Sequence, residues 1–382
     1  MPTYAGNDTF PELVTIPADG PLLAAATLNV PNEANLDRTR WLFRREQMRA
    51  VHFDPMTEHT LAHATHRDGR PAYSLRRQRW YIGGGDAKIS RTEDYGATWV
   101  SDLTTGPGST TGYHGAFIND PGNARYGNGL FVAAKTETWY ASYAYAGNVW
   151  TAGLALPSAT WGGIIHEPIA DNWVIWDVGK LWTSPTAAIA WTDRSALPGG
   201  GSPGLIPIAS NGAGLLMLHG KLKGVYTSSD GGVTWVECTT AFGLLVITSI
   251  VWDAWRGRFV VALTDGAGLA ETWWSTDGGT WFMLATGIQF GEPTTPAGYI
   301  FELQSLGPVL VGTLLSQVGG QIRTVYSVDG GTTWGRGPCP VWANNTALVY
   351  LANNGSDILA VNLNTNYKGV SFVRGCVPIG SF

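Results

Sequence analysis

The feature that most constrains this 382-residue chain is a short pattern that returns four times. Residues 92–99 read T-E-D-Y-G-A-T-W, residues 228–235 S-S-D-G-G-V-T-W and residues 327–334 S-V-D-G-G-T-T-W, while residues 275–281 give S-T-D-G-G-T-W, one residue short. Each reads as a tight hairpin turn. Asp94, Asp230, Asp277 and Asp329 can accept hydrogen bonds from nearby backbone N–H groups, Gly96, Gly232, Gly279 and Gly331 supply positive φ, and the leading Ser or Thr hydroxyl closes the turn. Trp99, Trp235, Trp281 and Trp334 are expected to pack at the root of the following strand. The 50 glycines and 18 tryptophans, beside only 14% charged residues, suit many short strands joined by such turns and disfavour a helical bundle.

Asp230, Asp277 and Asp329 are 47 and 52 residues apart, a period that suits one four-stranded propeller blade. The 136 residues between Asp94 and Asp230 leave room for two degenerate copies, for which Ser142–Trp150 and Leu181–Trp191 are the candidates. Hydrophobic runs precede the copies at similar distances: Trp80–Gly83, Leu130–Ala134, Trp173–Trp176, Leu215–Leu218, Phe259–Ala262 and Val309–Gly312, with a seventh at Ile358–Val361. The expected fold is therefore all-β, a β-propeller of seven blades of four antiparallel strands, with six or eight blades as the alternatives. Residues 1–40 stand outside the period and carry five prolines, so they read as an N-terminal arm or a ring-closing segment, leaving 41–382 for the propeller.

The four turns resemble the Asp-box of BNR-repeat proteins, which include sialidases, related glycosidases, sortilin-type receptors and photosystem assembly-factor propellers. The stretch Arg49–Trp99, with RAVHFDP, TLAHAT, YIGGG and RTEDYGATW, carries the resemblance through a first blade. In that family the boxes lie on outer turns away from the axial funnel, which implies that the four aspartates are fold markers and not catalytic groups. A sialidase would need three arginines on the substrate carboxylate, a Tyr–Glu pair and an Asp acid/base. The R-I-P signature is absent, and Arg49, Asp68, Arg256, Arg258 and Arg323 match the pattern only loosely. Other glycosidases of the group work with two carboxylates, for which Glu167, Asp171, Glu292 and Glu302 are the candidates. Tyr113, Trp161, Trp176, Trp252, Trp255 and Trp342 fall near inter-blade connections and are the candidates for stacking on a ligand, against the alternative of packing between blades.

A net charge of −5 provides no footprint for nucleic acid, and the arginines between Arg38 and Arg91 form one local basic patch. No export signal is visible at the N-terminus and no stretch approaches 18 uninterrupted apolar residues. Cys238, Cys339 and Cys376 lack the C-x-x-C spacing of zinc sites, and a bond between Cys339 and Cys376 is left open. His59, His63 and His66 sit where a strand is expected, and alternation would split His63 from His66, so neither a metal nor another cofactor is implied. Together these readings predict a non-enzymatic structural or receptor- and glycan-binding propeller. The overall resemblance to phage-encoded BNR propellers places it in a bacteriophage virion, as a tail or head-decoration component. Its partners would be other virion subunits, met through the N-terminal arm, and a cell-surface glycan or protein, within an oligomeric assembly. Its location would be the virion or the cytoplasm of the producing cell. A glycoside hydrolase and an intracellular assembly factor are the alternatives.

Overall fold

The computed structural model describes residues 13–14, 23–24, 57–60, 71–74, 78–83, 89–103, 131–134, 138–142, 151–155, 163–177, 180–185, 191–198, 208–220, 224–238, 242, 245–265, 270–286, 288, 298–316, 322–336, 349–354, 357–362 and 369–373. The chain divides into two compact units, one of Met1–Val51 with Pro378–Phe382 and one of His52–Val377. In the first, β1 (Leu13–Val14) pairs antiparallel with β2 (Leu23–Ala24).

The second unit opens with β3 (Thr57–Thr60) and then forms a series of antiparallel sheets. The first contains β4 (Ala72–Ser74), β5 (Arg79–Gly83), β6 (Ile89–Thr92) and β7 (Val100–Leu103). A three-stranded sheet follows, of β8 (Phe131–Ala134), β9 (Thr138–Ser142) and β10 (Thr151–Ala155). Next come β11 (Gly163–Glu167), β12 (Asn172–Asp177), β13 (Lys180–Ser184) and β14 (Thr192–Asp193), and then β15 (Ala209–Ser210), β16 (Leu216–His219), β17 (Val225–Ser228) and β18 (Val236–Cys238). A further sheet has β19 (Val246–Asp253), β20 (Arg258–Thr264), β21 (Ala270–Ser275) and β22 (Phe282–Thr286). Its successor has β23 (Gly298–Leu306), β24 (Val309–Ser316), β25 (Ile322–Ser327) and β26 (Gly335–Arg336). The last has β27 (Val349–Asn353), β28 (Ile358–Asn362) and β29 (Gly369–Val373), and its fourth strand is β3.

Among the described residues, five sheets are thus built from four consecutive strands, one has three strands, and one is a composite of both ends of the unit. The expectation of uniform blades of consecutive strands is corrected accordingly. The composite has a physical reason: pairing Gly369–Phe372 with Thr57–Thr60 satisfies the outer edge of the last sheet with an early strand, so no free end is left to fray. Residues 57–60 therefore close the last sheet, whereas the sequence pattern assigned them to a first blade starting at Arg49 and left ring closure to residues 1–40. Periodicity finds strands but does not say which sheet a strand joins.

One register runs through the sheets. Trp80, Trp173, Leu216, Phe259 and Leu310 on second strands lie opposite Thr92, Ser184, Ser228, Ser275 and Ser327 on third strands. Phe131 faces Ser142 in the same way. Ser142 and Ser184 thus start the two degenerate copies at the positions where the intact copies carry their Ser or Thr. Across to the first strands, the pairs Tyr73–Trp80, His166–Trp173 and Trp252–Phe259 place ring centroids 4.7, 4.6 and 4.8 Å apart.

The cores lie between successive sheets. Val174, Trp176 and Leu181 pack with Leu216, Leu218, Tyr226 and Trp235 of the next sheet, and Trp80 and Ile82 pack with Ala352 and Leu359 of the composite sheet. Each fully buried side chain of this kind is worth about 1.5–3 kcal/mol, which makes face-to-face burial the main force holding sheet to sheet.

Candidate functional site

Two regions carry polar side chains in repeated or converging arrangements. The first is the set of turns between third and fourth strands. In residues 228–235, Asp230 accepts from the Ser228 hydroxyl at 2.8 Å, the Val233 N–H at 3.1 Å, and the Thr234 N–H and hydroxyl at 2.9 and 2.5 Å. The Gly232 N–H donates to Ser228 Oγ at 2.8 Å, and the Trp235 indole N–H donates to the Gly232 carbonyl at 3.0 Å. Asp329 and Asp94 repeat the pattern with Thr333 and Thr98. Hydrogen bonds from the Thr98 hydroxyl and N–H hold Asp94 at about 2, below the usual carboxylate value. Burial pushes Asp230 up, but the Thr234 and Ser228 hydrogen bonds outweigh it and leave its pKa lowered. These carboxylates each accept several hydrogen bonds from their own turns, which is the work of a turn-forming group.

The short copy corrects one sequence assignment. Gly278, not Gly279, takes the place of Gly232 and Gly331: it is buried, has φ +81° and donates its N–H to Ser275 Oγ at 2.7 Å. Its carbonyl receives the Trp281 indole at 2.7 Å, whereas Gly279 is exposed and only donates to Asp277. Dropping one residue before the tryptophan moves the left-handed glycine one position toward the serine, a shift that aligning the letters D-G-G conceals.

The same turns tie neighbouring sheets together through the hairpins joining first and second strands. Asn172 donates to the Gly231 carbonyl at 2.7 Å, Arg258 to Gly330 at 2.8 Å, and Arg256 to Val328 at 2.9 Å, while Tyr95 donates to Asp357 at 3.0 Å. Arg256 is held from behind by the fully buried Asp253 at 3.0 Å. WDAWRGRF is therefore a turn whose arginines bind backbone carbonyls of the next sheet.

The second region is a cavity of about 330 Å³ where the first strands β15, β19, β23 and β27 converge. Ser210, Trp252 and Ser305 line it from one register position in three sheets, opposite Leu216, Phe259 and Leu310, and Asn353 joins them opposite Ile358 of β28. Glu302 and Gln304 join them from β23, beside an irregularity between Ile300 and Glu302 of the kind that re-aims a side chain. Glu302 is buried, and its Oε1 accepts from Gln304 Nε2 at 3.5 Å. The same amide donates to the Leu351 carbonyl at 3.4 Å, and Gln304 Oε1 accepts from Asn353 at 2.8 Å. The cavity is at the small end of the roughly 300–1,000 Å³ of small-ligand sites, and its mix of apolar wall and few convergent polar groups fits that class. A second hollow of about 700 Å³ lies at the outer strands, beside Arg194, Leu197, Pro198 and Trp235.

Of the four candidate carboxylates, Glu302 alone lines the axial cavity among the described residues. Glu167 is fully buried at the end of β11 and accepts the Ala170 N–H at 2.6 Å, while Asp171, with φ +51°, lies 3.1 Å from His166 Nε2. Both hold the β11–β12 turn together. Trp252 lines the cavity, Trp255 is 62% exposed on the β19–β20 turn, and Trp176 is packed between sheets at 4% exposure, with no face for a ligand. Glu292, Tyr113, Trp161 and Trp342 lie outside the described residues, as do Cys339 and Cys376, while Cys238 is a free, half-buried thiol. Gln304, Asn353, Ser210 and Ser305 were not singled out from sequence. The i, i+2 spacing of Glu302 and Gln304 on one strand was the available signal. Among the described residues no group of His, Cys, Asp and Glu could hold a metal ion, and no helix is long and apolar enough to cross a membrane.

Successive twisted antiparallel sheets with first strands around a common cavity, the last completed by an early strand, define a β-propeller. No known family profile matches the chain, and no curated protein sequence matches it. Similar solved structures include virginiamycin B lyase from Staphylococcus aureus, with TM-score 0.61 and 10% identity over 85% of this chain and 99% of that one. A GH74 xyloglucanase from Xanthomonas campestris has TM-score 0.60 and 15% identity over 86% of this chain, which spans 55% of the enzyme. YCF48 bound to D1 peptide has TM-score 0.58 and 13% identity over 86% and 97% of the two chains. At such identities the likeness establishes the propeller fold and nothing finer.

Proposed function

We propose that this chain is a non-enzymatic, glycan- or receptor-binding propeller whose ligand enters the axial cavity. The observation that carries the reading is the make-up of that cavity. Four sheets bring Ser210, Trp252, Ser305 and Asn353 to its wall, with Glu302 and Gln304 beside them. Hydroxyls, amides, one carboxylate and one indole form the kind of donor–acceptor set with an aromatic wall that recognises hydroxyl-rich ligands. Hydrolysis of a glycosidic bond would call for two carboxylates flanking it. Glu167 and Asp171 are instead committed to the β11–β12 turn.

The ring itself is read here as seven blades: five of consecutive strands, the three-stranded sheet and the composite one, the first six sharing the register described above. The hydrogen-bonded D-x-G turns support assignment of the four repeats as Asp-boxes of the BNR type. A place in a bacteriophage virion, in contact with other virion subunits, rests on the sequence resemblance alone. The assembly-factor and glycosidase readings each have a propeller neighbour in YCF48 and the xyloglucanase, but the likeness reaches only to fold. The test is titration of the full chain against a panel of mono- and oligosaccharides, with product analysis by mass spectrometry. Saturable binding with intact ligand is expected. Released sugar would convert the protein to a hydrolase, and a panel without any binding would overturn the glycan reading.

A further inference from the structure

We infer that the outer hollow beside the turn of residues 228–235 is a docking groove for a short, extended, acidic peptide. The peptide places one carboxylate on Arg194, its backbone along the free edge of β14, and an aliphatic side chain against Ala196, Pro198 and Val233. The hollow, of about 700 Å³, shares no described lining residue with the axial cavity. Its volume falls within the roughly 300–1,000 Å³ of small-ligand sites, room for a few peptide residues.

The free edge follows from the register of the sheet. β14 is the outermost strand, and the Arg194 N–H donates to the Leu181 carbonyl at 2.7 Å. Successive residues of an antiparallel strand bond alternately to one side and the other, so Asp193, opposite Trp182, directs its N–H and C=O away from β13. An extended chain laid beside β14 can pair with both groups. With only two residues, β14 is too short to template another sheet, which restricts the occupant to a brief segment.

The charge sets the chemistry of that segment. Arg194 is half-buried, and its Nε donates to the Thr183 hydroxyl at 3.5 Å, a long bond. Among the described residues no carboxylate forms an ion pair with its guanidinium. The two acids beside it serve their own turns: Asp193 accepts the Ser195 N–H at 2.8 Å and Asp230 the Thr234 hydroxyl at 2.5 Å. The terminal guanidinium nitrogens therefore keep a fork of donors that matches an incoming carboxylate. Ala196, Pro198 and Val233 are exposed at the same hollow, beside the buried Leu197 and Trp235. An aliphatic side chain two positions from the acidic one shares its face of an extended peptide and would cover them.

The experiment is fluorescence anisotropy of the full chain with a library of labelled, capped peptides that fix a central glutamate and vary the aliphatic neighbours, each paired with its glutamine counterpart. Glutamate peptides are expected to bind at least about tenfold more tightly than their counterparts, and Arg194→Gln to abolish that preference while Arg194→Lys keeps part of it. Asp193→Pro removes an N–H that the sheet does not use and is expected to weaken binding several-fold, whereas Asp193→Ala, which keeps it, should not weaken binding. Unchanged melting temperatures would show that the variants remain folded. Binding indifferent to Arg194→Gln, or no binding by any member of the library, would overturn the inference. Capped glutamate alone binding as tightly as the peptides would reduce the site to a bare anion site. Self-association of the chain in sedimentation, lost on Asp193→Pro, would assign the edge to a second copy instead.

Discussion

The repeat turns and the axial cavity belong to the same sheets, yet they use side chains in opposite ways. At the turns, between third and fourth strands, each copy spends its polar groups on itself: Asp230, Ser228 and Thr234 satisfy one another and the local backbone. Along the cavity, the corresponding positions carry serine in two sheets, tryptophan in a third and asparagine in a fourth. The repeated part of the sequence therefore builds the ring, and the unrepeated part gives it a chemical identity. Self-satisfied turns tolerate little change in type, because a lost partner leaves a buried donor or acceptor unpaired. Cavity positions are open to variation in exchange for specificity.

The sharpest way to break this contrast is Trp235→Ala. Trp235 is 6% exposed, packed with Leu216, Leu218 and Tyr226 and tied to Gly232, so its loss should cost about 3–5 kcal/mol in chemical denaturation. The cavity variant Ser305→Ala, at a half-buried position, should leave stability much closer to the native value. A Trp235→Ala protein as stable as the parent would show that the turns are not the scaffold.

A smaller effect separates two adjacent glycines. Gly278→Ala would set a Cβ 2.6 Å from Thr227 Cγ2 at φ +81°, and is expected to destabilise by about 1–3 kcal/mol. Gly279→Ala, whose added Cβ would come no nearer than 3.7 Å to the Asp277 carboxylate, should change stability by less than about 0.5 kcal/mol. Equal melting temperatures for the two variants would restore Gly279 as the turn glycine.

The mildest test is acid. Burial holds His219 at about 4, below its ordinary 6.5, so the unfolded chain binds a proton that the folded chain refuses between those values. Stability should fall as pH drops from 6.5 to 4, and His219→Gln should flatten that slope. The stabilisation from Asp94, present above its ordinary 3.8, should disappear only as pH falls further toward 2. Denaturant midpoints that stay level between pH 6.5 and 4 would contradict the burial of His219.

Much of the scaffold was legible in the residues themselves. The seven hydrophobic runs fall on β5, β8, β12, β16, β20, β24 and β28, and the four turns lie where their aspartates place them. Local chemistry explains this success: an aspartate, a left-handed glycine and a hydroxyl within eight residues need no distant partner to form their turn. Glu302 and Trp252 could be named as candidates from residue type, but nothing in their neighbourhood distinguished them from Glu167 or Trp176. Those pairs separate only through the register and packing of strands far apart in the chain.

By itself, then, the sequence determined an all-β chain with hairpin turns of known composition at a blade-like period, because turn geometry and strand alternation are local properties. The tertiary structure decided that Thr57–Thr60 completes the last sheet and that Gly278 is the left-handed glycine of the short turn. It also decided that residues as distant as Ser210 and Asn353 share one cavity. The physical reason is that such meetings depend on which sheet edges remain unpaired and how twisted sheets stack, energies that arise only when segments hundreds of residues apart are brought together.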